Sequence, residues 1–499
     1  MGVSPVVMLQ ERTHTPDDLQ STYLLAGLGF ACLIGWELSA VFGPSLSLLS
    51  FCDLHEAVVL RIMSVLTLAA TFGFYALKAD WVFEHRNRFL TAGSLLALVT
   101  VANTMANLAF GGIPFIVSLA AWALFGFAQG RIMMYWCVFF SLIPTRRTAV
   151  SIGLGSALGT LMFVFANASE ALWANLAEIA LLIVGSAGLV AFLSRRIPAD
   201  RILPVSAFHR TSVLTVSASF SVACHGAVYG FMAIALCSMG PVAALVGGAS
   251  GLVGGGVALL WGYLGPKVDI DTGMVQRISL PLLLAGLLLF PLFEGVGRIV
   301  CGCLVVMALA HASVIAWYST SIDNYEFRLH PVDRFALREA PNWVGFLLGS
   351  IVAYVLIFTL SIEGWAYHLA MIIFSLVVLV AFSVYGGNES QMRKRLNALL
   401  APAPVEALVS GEDADARAPS APPRSFRQRC DRACEQYGLT PREEEVFFLL
   451  AKGRNAEYIA EQLVVSPATV KSHIYHIYRK LGINSQQHLM NIVDDVAAE

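Results

Sequence analysis

Two sets of side chains stand where their chemistry would matter. The first is a handful of ionisable residues inside long apolar runs: Glu37, Arg61, Arg131, His225 and His311. A charge in hydrocarbon is costly, so each needs a partner or a function. Glu37 and Arg61 sit at similar depth if their helices are antiparallel. They suit either a structural ion pair or a ligand site. Arg131 offers a planar fork for an anionic group. Glu37, Arg131, His225 and His311 are therefore candidate ligand-binding residues around a central cavity for a polar or anionic small molecule. The two histidines equally suit plain hydrogen bonds between helices. Trp36, Trp122, Trp136, Tyr229 and Trp317 are placed to stack on a ligand's apolar body or simply to fill the bundle. The second set lies near the C-terminus. Ser472, Tyr475 and Arg479 share one helical face, flanked by Lys471, His476 and Lys480. Basic and hydrogen-bonding groups in that pattern meet phosphates and base edges.

The elements that must carry the first set are set by composition. The chain has 499 residues, 57% hydrophobic and 13% charged, with mean hydropathy +0.69. Soluble domains hold about 25% charged residues. An ordinary soluble enzyme, a disordered chain and a secreted disulfide scaffold are excluded, and a polytopic membrane protein remains. Cys430 and Cys434 lack the further Cys or His ligands of a zinc site. Residues 1–20 lack the pattern of a removed signal peptide. Twelve apolar runs follow, near 21–43, 57–78, 89–109, 114–141, 149–167, 171–193, 211–237, 243–265, 278–296, 299–320, 343–360 and 366–385. Each is long enough to cross a bilayer as a helix. With both ends inside, eighteen Lys and Arg fall in inner segments and only Arg298 falls outside. That asymmetry predicts cytoplasmic termini and an even span count. Glycine pairs four apart, Gly126/Gly130, Gly155/Gly159 and Gly247/Gly251/Gly255, predict close helix contacts or a dimer face.

Six spans, a basic loop and six more resemble the major facilitator transporter fold over about residues 20–385. That family's signature between spans 2 and 3 is met by Asp80 with Lys78, Arg86 and Arg88, though its glycines are missing.

After Tyr385 the composition turns polar, and residues 386–430 read as a flexible linker, polar and basic over 386–400 and rich in Ala, Pro and acids over 401–425. Residues 431–499 then read as a small helical domain. Thr440, Pro441 and Glu443 mark a capped helix start. Val446, Leu449 and Leu450 follow, and Gly453 ends that helix. Ala456–Leu463 reads as a second helix. Ser466 caps a third, with Pro467 at its first position. Val470, Ile474, Ile477 and Leu481 form that helix's buried stripe, and Gly482 stops it. Ser485 caps a fourth helix, running to about Val493. A short helix, a tight turn and a basic exposed helix make a helix-turn-helix reader.

The run Leu439-Thr440-x-Arg442-Glu443-x-Glu445-Val446, with Leu449-Leu450-Ala451-x-Gly453, Ile459-Ala460-x-x-Leu463, Ser466-x-x-Thr469-Val470-Lys471-x-His473 and Ile477-x-x-Lys480-Leu481-Gly482, closely resembles the LuxR-type (GerE/FixJ-like) DNA-binding domain over about residues 436–495. The resemblance implies that the third helix enters the major groove and that the fourth pairs two copies on DNA. It implies DNA contacts from Thr469, Lys471 and Lys480, and base reading by Ser472 and Tyr475. Glu444 and Gln486 depart from the family's basic positions, so phosphate affinity is expected to be modest.

The fold class expected is all-α: a transmembrane bundle of twelve spans, six plus six, carrying a C-terminal four-helix helix-turn-helix domain. No phosphate-binding loop, kinase motif, metalloprotease motif or receiver-like acidic cluster is found, so neither catalysis nor a cofactor is expected. The function expected is a one-component transcription regulator in a bacterial cytoplasmic membrane. Its partners would be the lipid bilayer, a small-molecule ligand and double-stranded promoter DNA bound as a homodimer. The alternative is a transporter with an appended DNA-binding domain.

Overall fold

Backbone polar groups in hydrocarbon must be satisfied within the segment, and long apolar runs therefore fold as helices. In the computed structural model the described residues are 16–43, 53–143, 145–168, 171–197, 204–208, 216–264, 272–360, 364–385, 430, 432–434, 436–451, 459–460, 463, 465–483 and 489. The chain divides into two units, Met1–Ala403 and Pro404–Glu499.

Among its described residues the first unit is built from helices. Its helices are α1 (Pro16–Phe42), α2 (Leu54–Leu77), α3 (Ala79–Glu84), α4 (Arg86–Ser94), α5 (Leu98–Phe110), α6 (Phe115–Phe140), α7 (Thr145–Ala168) and α8 (Leu172–Ser194). They are followed by α9 (Val216–Ser238), α10 (Pro241–Ala249), α11 (Gly251–Leu264), α12 (Thr272–Leu289), α13 (Gly295–Glu326), α14 (Pro331–Tyr354) and α15 (Gly364–Tyr385). Among the described residues nine helices are long and apolar enough to cross a membrane. The α10–α11 pair, α12 and α15 stand where the three remaining expected spans were read.

Several boundaries differ from the sequence reading, α12 ending at Leu289 and α13 running on to Glu326, and the largest difference is in the eleventh span. The eleventh span was expected from residue 343, but α14 starts twelve residues earlier, at Pro331. His330 caps it, its Nδ1 accepting the Asp333 N–H at 3.2 Å, and Pro331 takes the first helical position. The charged stretch Asp333–Glu339 resembled a loop. It is helical because Arg334 and Glu339 are buried against neighbouring helices.

Glycines set the closest approaches. On α6 a Cβ at Gly126 would lie 1.9 Å from the Ser64 carbonyl of α2, and on α7 one at Gly159 would lie 2.6 Å from the Ala31 carbonyl of α1. Both pairs had been read as packing motifs. At the start of α14, Asp80 of α3 lies 3.4 Å from His330 Nε2. At the other end His55 Nδ1 lies 3.2 Å from the Tyr354 hydroxyl. Helix α14 is thereby held to the first six spans at both ends. Between them an aromatic chain crosses the bundle, with ring centroids of Phe30 and Trp317 5.2 Å apart and those of Trp317 and Phe335 4.6 Å apart.

In the second unit the described helices are α16 (Pro441–Ala451) and α17 (Pro467–Leu481). Their core includes Val446, Phe447, Leu450, Val470, Ile477 and Leu481, together with the buried thiols of Cys430 and Cys434. The linker before Cys430, most of the second expected helix, Gln486 and the start of the fourth helix at Ser485 lie outside the described residues.

Candidate functional site

Local capping builds the reading helix. Ser466 Oγ accepts the Thr469 N–H at 3.1 Å, satisfying one of the donors a helix start leaves open. Pro467 follows at the first position, and Gly482 (φ 68°) ends α17 in the left-handed region. Val470 and Ile477 point into the core. The opposite face is exposed and carries Lys471, Ser472, Tyr475, His476 and Arg479, with Thr469 at its start. Tyr475 is 63% exposed. Thr469 shares its hydroxyl with Ser466, Oγ1 to Oγ 2.8 Å.

Lys480, expected among the DNA contacts, is also engaged within the domain. Its ammonium donates to Glu443 Oε2 at 2.7 Å and to the Gly438 carbonyl at 2.9 Å, tying the end of α17 to the start of α16. Glu443 is buried and closes the capping box, accepting the Thr440 N–H at 2.8 Å and the Thr440 hydroxyl at 3.0 Å. Burial alone would raise the Glu443 pKa. The hydrogen bonds from Lys480 and Thr440 outweigh it and hold the carboxyl at about 2, against 4.5 for a free one. A lowered carboxylate pKa stabilises the fold above the unfolded value and loses that stability as pH falls through the folded one. Glu443→Gln should therefore cost roughly 2 kcal/mol at pH 7, allowing for the partial exposure of Lys480. That difference from the native chain should shrink between about pH 4.5 and pH 2. Proteolytic sensitivity of α16 and α17 in the full chain, followed against pH, checks it. A gap between the two proteins that persists at pH 2 would remove the pair from this role.

Arg442, a residue of the LuxR-type motif, has a bracing role in the fold. It pairs with Glu445 and donates to the Leu463 carbonyl at 3.1 Å, bracing α16 against the turn before α17.

Residues 438–493 match the luxR family of bacterial regulatory proteins (GerE). They are a LuxR-family helix-turn-helix domain. The domain is 42% identical over 59 residues to an HTH-type transcriptional regulator of Mycobacterium tuberculosis (strain ATCC 25618 / H37Rv), covering 12% of this chain and 6% of that protein. It is 42% identical over 55 residues to the transcriptional activator protein ExaE of Pseudomonas putida, 11% of this chain and 26% of that one. It is 46% identical over 52 residues to the oxygen regulatory protein NreC of Staphylococcus aureus (strain JH9), 10% of this chain and 24% of that one. The chain thus covers about a quarter or less of these relatives, and the likeness is confined to the LuxR-type domain.

The membrane unit has the major facilitator fold. It superposes on the human organic anion transporter MFSD10 (TETRAN) with a TM-score of 0.54 at 12% identity, covering 74% of this chain and 100% of that one. A bacterial homologue of the iron transporter ferroportin gives a TM-score of 0.51 at 13% identity, covering 74% of this chain and 99% of that one. At such identity the likeness extends to the fold alone.

Within this unit lies a cavity of about 310 Å³, lined from α1, α6, α7 and α9–α14. Two of the four sequence candidates line it, Glu37 and His225, and so do Tyr229 and Trp317. Arg131 does not. Its guanidinium donates to the Phe89 carbonyl at 2.9 Å and lies over the Phe89 and Phe127 rings, 3.9 and 4.3 Å from their centroids. It is occupied by α4 and its own helix, and the anion fork expected of it is absent from the cavity. His311 hydrogen-bonds the Gly254 backbone of α11 and is absent from the lining. The expected Glu37–Arg61 pair is not formed either, because Arg61 donates to Cys237 Sγ at 2.8 Å. Trp36, Trp122 and Trp136 are buried packing residues outside the cavity wall.

The cavity's cation is one the sequence reading missed. Arg338 donates to Thr320 Oγ1 at 3.2 Å and lies 3.7 Å from Glu339 Oε1, and Glu339 also accepts from Asn342 Nδ2 at 3.2 Å. The available signal was the spacing Arg338, Glu339, Asn342 and Trp343, which shares one helical face only once α14 is known to begin before it.

Proposed function

We propose that this chain is a membrane-embedded one-component transcription regulator. Residues 1–20 are a cytoplasmic segment, 21–385 a twelve-span sensor, 386–430 a linker and 431–499 the DNA reader. Both termini face the cytoplasm of a bacterial inner membrane. The reader pairs as a homodimer on promoter DNA, and the chain performs no catalysis. The observation that carries this reading is the exposed, basic and aromatic face of α17 on the same chain as a bundle holding a cavity with ionisable walls. A ligand with different affinity for two states of that bundle would shift the reader's availability, and a tenfold switch needs only about 1.4 kcal/mol. Transport by the same bundle is the second reading, and the major facilitator fold favours it.

Promoter occupancy and transcripts, compared between a deletion strain and one restored with the full chain, test the proposal. At least one promoter should be occupied and its transcript changed. Restoration with Lys471→Ala/Arg479→Ala should leave that transcript at the deletion level. No occupied promoter would overturn the regulator reading. Uptake of a cavity ligand into proteoliposomes would establish the transport reading beside it.

A further inference from the structure

The cavity holds more carboxylate than cation. Two carboxylates line it, Glu37 and Glu339, and among the described lining residues Arg338 is the sole Arg or Lys. Arg338 is already engaged, by the Thr320 hydroxyl and by Glu339 itself. Glu339 has further neighbours in Asn342 and Trp343. Glu37 is faced by the Gln129 amide, the Tyr229 phenol and the like charge of Glu339. Arg61 and Arg131, whose charges would have matched it, are turned to Cys237 and Phe89. A carboxyl in hydrocarbon without a cation is held uncharged, and a cation that arrives beside it favours the ionised form and gains the pairing.

The rest of the wall suits the same visitor. Phe30, Tyr229, Trp317 and Trp343 line it, and aromatic faces attract a cation as well as an apolar body. Ser279, 7% exposed, also lines the cavity, and its hydroxyl has no hydrogen-bond partner among the described residues. Small-molecule pockets begin at about 300 Å³, so the occupant is compact.

We infer that the cavity binds a small organic cation, with an ammonium head at Glu37 and an apolar body among Phe30, Tyr229, Trp317 and Trp343. This reverses the anionic ligand expected from Arg131. An anion would face two carboxylates with one cation that is already matched. The inference deepens the sensor reading and rests on it for any effect at DNA.

The test uses the full chain in nanodiscs, with benzyltrimethylammonium as a probe of fixed positive charge and phenylacetate as its anionic counterpart. Quenching of tryptophan fluorescence reports occupancy, because Trp317 and Trp343 line the cavity. Benzyltrimethylammonium should quench saturably and raise the melting temperature, and phenylacetate should do neither. Glu37→Gln should weaken cation binding at least tenfold, and Glu37→Asp, which keeps the charge, should weaken it less. If Glu37→Gln fails to fold, the comparison of Glu37→Asp with the native chain and of the two probes decides. No saturable cation binding, tighter binding of phenylacetate, or an indifferent Glu37→Gln would each overturn the inference. Occupancy of a promoter fragment is read in the same samples. A cation that binds without changing it would overturn the sensor reading and leave the ligand assignment standing. A bound phenylacetate that changes it would do the reverse.

Discussion

A Gly345→Leu chain should fail to accumulate as folded membrane protein. Helices α9 and α14 approach through four glycines, Gly226 and Gly230 on one and Gly345 and Gly349 on the other. A Cβ at Gly345 would lie 1.9 Å from the Ala223 carbonyl, and one at Gly349 equally close to that of Ala227. From the other side, a Cβ at Gly226 would lie 1.9 Å from the Asn342 carbonyl and one at Gly230 2.0 Å from that of Phe346. These neighbours are backbone atoms and cannot rotate away, so any side chain must push the two helices apart. In a bilayer, helix association depends on this close packing, because lipid supplies no hydrophobic drive between helices. Ordinary overpacking costs about 1–3 kcal/mol, and here the displacement would also open the wall that carries Arg338 and Glu339. A loss above about 3 kcal/mol is expected. Gly188→Leu on α8 is the control, since nothing lies within 4 Å of a Cβ there. Monodisperse yield and melting temperature in detergent should collapse for the first variant and stay near native for the second. Equal behaviour of the two would mean that the α9–α14 contact is looser than the distances imply.

Those glycines also mark how far the sequence could be read. Spacing of four drew attention to Gly126/Gly130 and Gly155/Gly159, yet the same spacing in Gly226/Gly230 and Gly345/Gly349 makes a contact just as close. Sequence spacing states that a helix face is flat and leaves open which face meets it. The reader domain was more legible because its signals are local. Thr440 with Glu443, Ser466 with Pro467, and Gly482 each act within one turn of where they stand. Partner choice across the fold was hidden. Lys480 looked like any exposed lysine near a reading face until α16 placed Glu443 beside it. Arg131 and Arg61 were correctly seen as charges needing partners, but a carbonyl with two rings and a thiol were no part of any spacing rule. The start of α14 was missed for a related reason. A run of charges is helix or loop according to what buries it, and that lies elsewhere in the chain.

Tyr475→Ala should change which DNA sequence the full chain prefers, whereas Lys471→Ala should weaken binding to every sequence. Ser472, Tyr475 and Arg479 follow one another at three and four residues, so they form a single stripe on α17. Val470 and Ile477, on the other side, fix the roll of the helix in its core. In a helix-turn-helix such an outward stripe meets base edges in the major groove, and residues beside it meet phosphates. A lysine–phosphate contact neutralises one charge. Its loss should lower affinity evenly and reduce the salt slope by about one. A base-edge contact is worth about 1–3 kcal/mol of discrimination, so Tyr475→Ala should flatten the ranking of single-base site variants about 5- to 150-fold at the position it reads. Stability should hardly move, because Tyr475 is 63% exposed and contributes little to the core. Full-length protein in nanodiscs, titrated with duplexes carrying each single-base change of an occupied promoter site, separates the two effects. Lys480→Ala supplies the contrast. Its ammonium is held by Glu443, so its loss should lower stability first and affinity only as the fold loosens. If Tyr475→Ala left the ranking untouched and Lys480→Ala changed it, α17 would be rolled on DNA by about one residue from the orientation its exposed face implies.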